Sequence, residues 1–238
     1  SAASDVYKRQ DYTGWDANTD WQDEIFQTAF ITNNNISITG ASPKHSFYLG
    51  VGYSYEQGNI EHEKFSKVTI NASNDYKITD FLKVGFQFNG ARMLPADSKQ
   101  VLNALRATPI APVYNNEYGL YTALPEFQKA QINNPMVDVE LKANTTKAEN
   151  YRASGNIYGE VDFLKHFTFK AMFSMDYASN NGRTYTPIVK VYDAAVNGGI
   201  STLGTGKTEV SQFKENETKV QSDYLSVSYT HLRAHETR

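Results

Sequence analysis

Cysteine is absent from this chain of 238 residues. Without a thiol, the chain can form neither a disulfide bond nor a thiolate metal site. A composition without cysteine suits a reducing cytosol, and it also suits an exported protein that folds without bridges. The absence therefore limits the available chemistry and leaves the compartment open.

Long hydrophobic runs are missing as well. No stretch approaches the roughly 20 apolar residues of a membrane helix. The net charge is only -3, so the chain has no bulk attraction to nucleic acid, and we predict no nucleic-acid partner. The chain also begins without the pattern of a signal peptide, which an exported protein should carry, so we expect a native sequence to continue upstream.

The two ends differ in character from the rest of the chain. Residues 1–10 (SAASDVYKRQ) and 227–238 (VSYTHLRAHETR) resemble translated sequencing-adapter sequence. We therefore expect both ends to be non-native and residues 11–226 to form one partial β-barrel domain. His231 and His235 accordingly carry no functional prediction.

Aromatic residues are abundant, with 16 Tyr and 13 Phe, although the mean hydropathy is negative. This combination arises when apolar residues alternate singly with polar ones. The clearest alternation runs through two segments, 67–78 and 82–92, that fold back at residues 79–81. Each lasts for about a dozen residues, against about 5 or 6 for a usual strand. A tilted strand needs that length to cross a bilayer.

Five further segments complete a prediction of about seven strands. They are 35–40, 47–55, 151–163, 167–177 and 209–225. The connections alternate between short turns and long loops, as in outer-membrane barrels. One short helix is predicted at 98–107, with Asp97 or Ser98 as its cap, inside the long insertion 94–150. The predicted fold class is an all-β fragment of a large antiparallel transmembrane β-barrel, seen as an open curved sheet.

The order of several motifs resembles one known family. The runs NTDWQDEIFQTAF, NNNISITGAS, FYLGVGYSYEQGNI and KVTINASNDYKITDFLKVGFQFN are similar to the early barrel of SusC/RagA-like TonB-dependent outer-membrane transporters. The later runs ALRATPIAPVYNNEYG, NNPMV and GNIYGEVDFLKHFTFKAMFSMDY are similar to the same family. The resemblance covers residues 11–225.

The resemblance implies a location in the Gram-negative outer membrane, in contact with its lipid. It implies import of glycan oligomers or peptides together with a SusD-like surface lipoprotein. It also implies energy from the TonB complex, acting through a plug domain that this sequence lacks. The resemblance implies no enzyme activity and no cofactor.

Candidate contact residues lie in the predicted extracellular loops. Tyr114, Tyr118 and Tyr121 are placed to stack on sugar rings or to contact a partner protein, and packing within the loop is the alternative. Trp15 and Trp21 have the same two interpretations. We predict no catalytic, cofactor-binding or metal-binding residue.

Three further patterns are predicted to have no catalytic or ligand-binding role. The GTGKT run at 204–208 imitates a phosphate-binding loop, but Ser201 replaces the required first glycine, so we predict a flexible Gly-rich loop. Glu61, His62 and Glu63 are predicted to form a solvated charged tip, because neighbouring side chains on an extended loop diverge. His45 and His166 lie beside short turns and are predicted to be ordinary interfacial residues.

Two other function classes remain open from the sequence. A soluble β-sandwich that binds carbohydrate would bury the apolar faces against each other. A β-rich glycosidase would need two carboxylates about 5–10 Å apart in a cleft, and the sequence nominates no such pair.

Overall fold

The computed structural model describes residues 15–96, 101–141, 143, 145–163 and 166–228. The predicted non-native segment 1–10 and residues 229–238 of the predicted non-native segment 227–238 lie outside this range, as do the predicted turn at 164–165 and helix cap at 97–98. Residues 227 and 228 continue the last strand. Among the described helices, none is long and apolar enough to cross a membrane.

Long antiparallel strands and short helices make up the described chain. In chain order the elements are α1 (Trp21–Ile25), β1 (Ile31–Ala41), β2 (His45–Gln57), β3 (Lys64–Lys77), β4 (Leu82–Leu94), α2 (Val101–Arg106), β5 (Tyr114–Asn115), β6 (Leu120–Tyr121), α3 (Glu126–Lys129), a π-helix (Val137–Leu141), β7 (Thr146–Phe163), β8 (Phe167–Thr186), β9 (Val189–Tyr192), β10 (Ile200–Leu203) and β11 (Glu209–Ser228). All seven predicted strands are present, and most are longer than predicted. The long insertion holds two short α-helices and the π-helix, where the sequence predicted one helix.

Seven strands form a single sheet in the order β1-β2-β3-β4-β7-β8-β11. Each neighbouring pair is antiparallel, from Ile31↔Glu56 at one edge to Glu209↔Thr186 at the other. Two small hairpins, β5-β6 and β9-β10, lie within the long loops. The open antiparallel sheet confirms the predicted fold class.

One face of the sheet, here called the apolar face, carries large side chains that nothing in the described chain covers. Phe86 is 42% exposed, Phe169 is 38% exposed and Phe173 is 45% exposed. The close contacts of the seven strands are with their neighbours, and the buried clusters contain no residue from them. A β-sandwich would place a second layer on this face, and the described residues provide none.

Aromatic rings line the short-turn end of the apolar face. His45 stacks on Phe47 at 5.6 Å between ring centroids and meets Tyr76 edge-on at 5.7 Å. The amide of Asn74, the polar interruption in β3, donates to His45 Nε2 at 2.9 Å. His45 thus gives the Asn74 amide a hydrogen-bond partner on the apolar face. This ring cluster resembles the aromatic girdle of a membrane barrel.

On the opposite face, here called the polar face, polar and charged side chains of neighbouring strands contact each other. The Tyr158 hydroxyl donates to Asp75, and Lys170 Nζ lies 4.3 Å from the centre of the Tyr158 ring. Arg152 on β7 pairs with Asp176 on β8 at 3.2 Å. Such a surface suits contact with water.

Two glycines on β7 allow a matched test of the sheet geometry. A Cβ at Gly155 would lie 2.7 Å from the backbone oxygen of Gln87 on β4, whereas one at Gly159 would have nothing within 4 Å. We therefore expect Gly155→Ala to lower the free energy of unfolding by about 1–3 kcal/mol relative to Gly159→Ala, because a clash with backbone cannot be relieved by a rotamer change.

Urea unfolding in detergent micelles, followed by far-UV circular dichroism, measures this difference. Both variants remove the same glycine entropy from the unfolded chain, so the comparison isolates the clash. Equal stabilities for the two variants would contradict the close approach of β4 and β7.

Candidate functional site

The buried core of the described chain lies in the loops at one end of the sheet. We call residues 15–30, 58–63, 101–141 and 187–208 the loop cap. One cluster joins all but the last of these segments and includes Trp21, Ile25, Ile60, Leu124 and Val139, each at most 7% exposed. A second cluster packs Val137 against Val189 and Val191. The loop cap therefore has a packed interior of its own.

Asn134 is a polar centre of this interior and is 2% exposed. Its side-chain amide donates to the carbonyls of Val113 at 2.9 Å and Thr122 at 2.8 Å. Its side-chain oxygen accepts from the backbone N–H of Met136 at 2.9 Å. One side chain thus holds the β5-β6 hairpin against the start of the π-helix.

An ion pair fastens the β9-β10 hairpin to α3. Lys129 Nζ lies 3.0 Å from Asp193 Oδ2 and also contacts Glu126. The hydrogen bond to Glu126, helped by that to Asp193, raises the pKa of Lys129 against the lowering effect of burial. Lys129 therefore stays charged and holds the buried Asp193 carboxylate.

The three predicted tyrosines come together on the surface of the loop cap. Tyr114 meets Tyr121 edge-on at 5.3 Å, and Tyr118 lies 4.8 Å from Tyr192. Tyr114 and Tyr118 are 43% and 41% exposed, whereas Tyr121 is half-buried and packs against both clusters. Burial raises the pKa of the Tyr121 phenol, so that ring stays neutral. We call Tyr114, Tyr118, Tyr121 and Tyr192 the tyrosine surface.

The two predicted tryptophans face the interior of the loop cap. Trp21 is 3% exposed, and its indole N–H donates to the carbonyl of Thr108 at 2.9 Å. Trp15 is half-buried and packs against the same cluster. Their predicted ligand role stays a prediction, and among the predicted contact residues Tyr114 and Tyr118 are the exposed ones.

The charged tip between β2 and β3 is arranged differently from the sequence prediction. His62 has a φ of +66°, and this turn brings Glu61 and His62 together against Glu140 of the π-helix. His62 Nε2 lies 3.0 Å from Glu140 Oε1. The hydrogen bond to the Glu140 carboxyl, followed by burial, raises the pKa of Glu61. Glu61 and His62 therefore contact the π-helix instead of diverging into solvent.

The GTGKT run forms a tight turn between β10 and β11. Gly204 and Gly206 adopt φ values of +72° and +67°, which only glycine takes readily. A phosphate-binding loop leads from a strand into a helix, whereas this run leads directly into β11. The Gly-rich turn thus connects β10 to β11.

Sequence reasoning missed Tyr192 and Glu140. Tyr192 belongs to a short strand 74 positions after Tyr118 by residue number, and Glu140 lies 78 positions from its partner His62. No local spacing joins residues so far apart. Each residue follows a valine in the sequence, and this local context does not distinguish a functional residue from any other loop residue.

The chain resembles known proteins in both sequence and fold. No protein-family model matches the chain. The TonB-dependent receptor P3 of Formosa agariphila is 28% identical over 229 residues, which cover 91% of this chain and 22% of that protein. The TonB-dependent receptor SusC of Bacteroides thetaiotaomicron is 26% identical over 203 residues, covering 74% of this chain and 19% of SusC.

Solved structures share the fold. The structure of the RagAB peptide transporter matches with a TM-score of 0.56 at 21% identity, over 71% of this chain and 20% of the matched one. The RagAB peptide importer in its closed-closed state matches with a TM-score of 0.58 at 14% identity, over 89% of this chain and 31% of that chain. The chain spans about a fifth of the length of the curated relatives it matches. Sequence and fold together confirm the predicted resemblance to the SusC/RagA-like TonB-dependent transporters.

Proposed function

We propose that this chain forms part of the barrel wall of a TonB-dependent transporter in the outer membrane of a Gram-negative bacterium. The observation that carries the proposal is the uncovered apolar face of the sheet, combined with a buried core that is confined to the loops. A soluble protein of this size would bury its large apolar side chains between layers. A transmembrane barrel turns them toward lipid and keeps water on the other side.

The wall is proposed to separate two environments. The apolar face contacts the hydrocarbon of the outer membrane, with the His45, Phe47 and Tyr76 rings at one interface. The polar face lines the lumen through which cargo moves. Work comes from the TonB complex acting through a plug domain, so the residues of this chain contribute containment and recognition, and the proposal assigns them no catalysis.

The proposed cargo is a glycan oligomer or a peptide, received together with a SusD-like surface lipoprotein. Aromatic rings offer flat apolar faces and hydroxyl groups, which suit both sugar rings and peptide side chains. Tyr114 and Tyr118 present such rings at the surface of the loop cap. Packing of Tyr118 against Tyr192 fixes the ring orientation before a ligand arrives, and pre-organisation of this kind lowers the entropic cost of binding.

The test uses the intact transporter that carries this segment, in a Gram-negative host lacking its own copy. Uptake of two fluorescent pools, one of oligosaccharides and one of oligopeptides, is measured with and without a protonophore. We expect one pool to enter only in energised cells. We expect Tyr118→Ala and Tyr192→Ala to reduce that uptake, because each removes one ring of the packed pair.

The matched control is Tyr76→Ala, which removes an exposed tyrosine from the membrane end of the sheet instead of the loop cap. This variant should keep normal uptake at equal surface abundance. Entry of neither pool, or entry that ignores the protonophore, would overturn the transport proposal. Normal uptake by the Tyr118 and Tyr192 variants would overturn only the role of the tyrosine surface.

A further inference from the structure

Two segments far apart in the chain place three metal-ligand atoms close together at the rim of the loop cap. Glu61 and His62 come from the turn between β2 and β3, and Glu140 comes from the π-helix. One carboxylate oxygen from each glutamate and one imidazole nitrogen all lie within 4.8 Å of one another. One of these pairs, His62 Nε2 and Glu140 Oε1, is separated by 3.0 Å.

This spacing suits a small divalent ion. Zinc binds histidine nitrogen and carboxylate oxygen at about 2.0–2.1 Å, which places adjacent ligand atoms of a tetrahedral site about 3.3 Å apart. The separation of 3.0 Å between His62 Nε2 and Glu140 Oε1 lies close to that value, and the upper limit of 4.8 Å for all three ligand atoms lies above it. These half-exposed side chains can rotate slightly, and such rotations would place the three ligand atoms at three corners of a tetrahedron around the ion.

The donor set also discriminates between classes of ion. Imidazole favours zinc, copper and nickel, whereas calcium and magnesium prefer shells made wholly of oxygen. Calcium moreover takes six to eight ligands, and three side chains fall well short of that number. A zinc-class ion with water in the fourth position is the best match to one nitrogen and two oxygens.

We propose that Glu61, His62 and Glu140 bind a divalent transition-metal ion of the zinc class, which ties the β2-β3 turn to the π-helix. The ion would replace a hydrogen-bonded contact by bonds to both segments. Because Ile60 and Val139, the neighbours of two of these ligands, lie in the same buried cluster, the tie would stabilise the interior of the loop cap. The site is independent of the transport proposal, since it involves neither the sheet faces nor the tyrosine surface.

The test titrates zinc chloride into the tag-free 238-residue chain, held in detergent micelles that cover the apolar face. Calorimetry is expected to show saturable binding, and zinc is expected to raise the melting temperature of the near-UV circular dichroism signal of the loop cap. His62→Asn and Glu140→Gln should each weaken zinc binding by more than about tenfold, the loss that even a supporting residue around a metal causes. Calcium chloride should produce neither effect.

Two further variants make the result specific. His166→Asn removes an exposed histidine beside β8 and should leave zinc binding unchanged. His62→Cys supplies a thiolate, another zinc ligand, and should retain binding where His62→Asn loses it. An absence of zinc binding by the unaltered chain, or equal affinity in the unaltered chain, His62→Asn and Glu140→Gln, would overturn the proposal even if one variant folds poorly.

Discussion

Phe86→Arg is expected to destabilise the membrane-inserted protein by about 2–4 kcal/mol, the cost of one cation on the lipid-facing side of a barrel at the bilayer midplane. Phe86 lies near the middle of β4 and is 42% exposed on the apolar face. The arginine would have hydrocarbon around it, and its cross-strand neighbours would be Ile157 and the uncharged amide of Asn74, which is already bonded to His45. Urea titration of the intact transporter in phospholipid vesicles, followed by far-UV circular dichroism, measures the loss.

The control for this change is one position away. Gln87→Arg introduces the same cation at the same depth, but on the polar face, where Gln87 accepts from the Asn156 amide at 3.4 Å. Its expected effect is small, because water in the lumen solvates the new charge. Equal destabilisation by both substitutions would mean that the apolar face is not the one that contacts lipid, and the wall proposal would fail.

Asn134→Ala is expected to open the loop cap while leaving the sheet intact. The substitution removes the side-chain partner of the Thr122 carbonyl and of the Met136 N–H, and one of two donors to the Val113 carbonyl, which keeps its bond from the Thr122 N–H. Each buried polar group left without a hydrogen bond costs about 1–3 kcal/mol, so the summed loss is large for a unit of this size. Hydrogen–deuterium exchange should become much faster in peptides covering residues 101–141 and stay slow in β2, β3 and β4.

Asn115→Ala is the matched control for the buried asparagine. Asn115 lies in the β5-β6 hairpin that Asn134 holds, and its side-chain oxygen accepts from the Tyr118 N–H, but this bond is exposed to solvent. Surface substitutions of this kind usually change stability by about 0.5 kcal/mol or less. If exchange in the loop cap accelerates equally in both variants, Asn134 is not the polar centre that the hydrogen bonds indicate.

The sheet was predictable from sequence because its two faces meet different surroundings. In β4 the residues Val84, Phe86 and Phe88 alternate with Gly85 and Gln87, and this contrast marks the strand. The contrast disappears where a strand has polar surroundings on both faces. For that reason the sequence placed the end of β8 at Tyr177, whereas the structure continues it to Thr186, and it missed the polar start of β7.

The loop cap was largely unpredictable from sequence. Its contacts join residues far apart in the chain, such as His62 with Glu140 and Trp21 with the Thr108 carbonyl. No periodic pattern marks the two clusters, which are assembled from separate loops. The sequence identified three of the four tyrosines by their density in one segment, but the partner Tyr192 could be found only once β9 was placed beside β6.

In the proposed barrel wall, the length of β8 and β11, 20 residues each, would decide how far the wall extends beyond the membrane. Only about 9–11 residues of a strand inclined at about 45° are needed to traverse the hydrocarbon. The remaining ten or so residues rise about 3.3 Å each along the strand. At the same inclination they would extend the wall roughly 20–25 Å beyond the hydrocarbon. Strands that extend this far would project beyond the outer-leaflet headgroups. Antibodies and phage tail fibres would therefore meet the strand ends before they reach the bilayer.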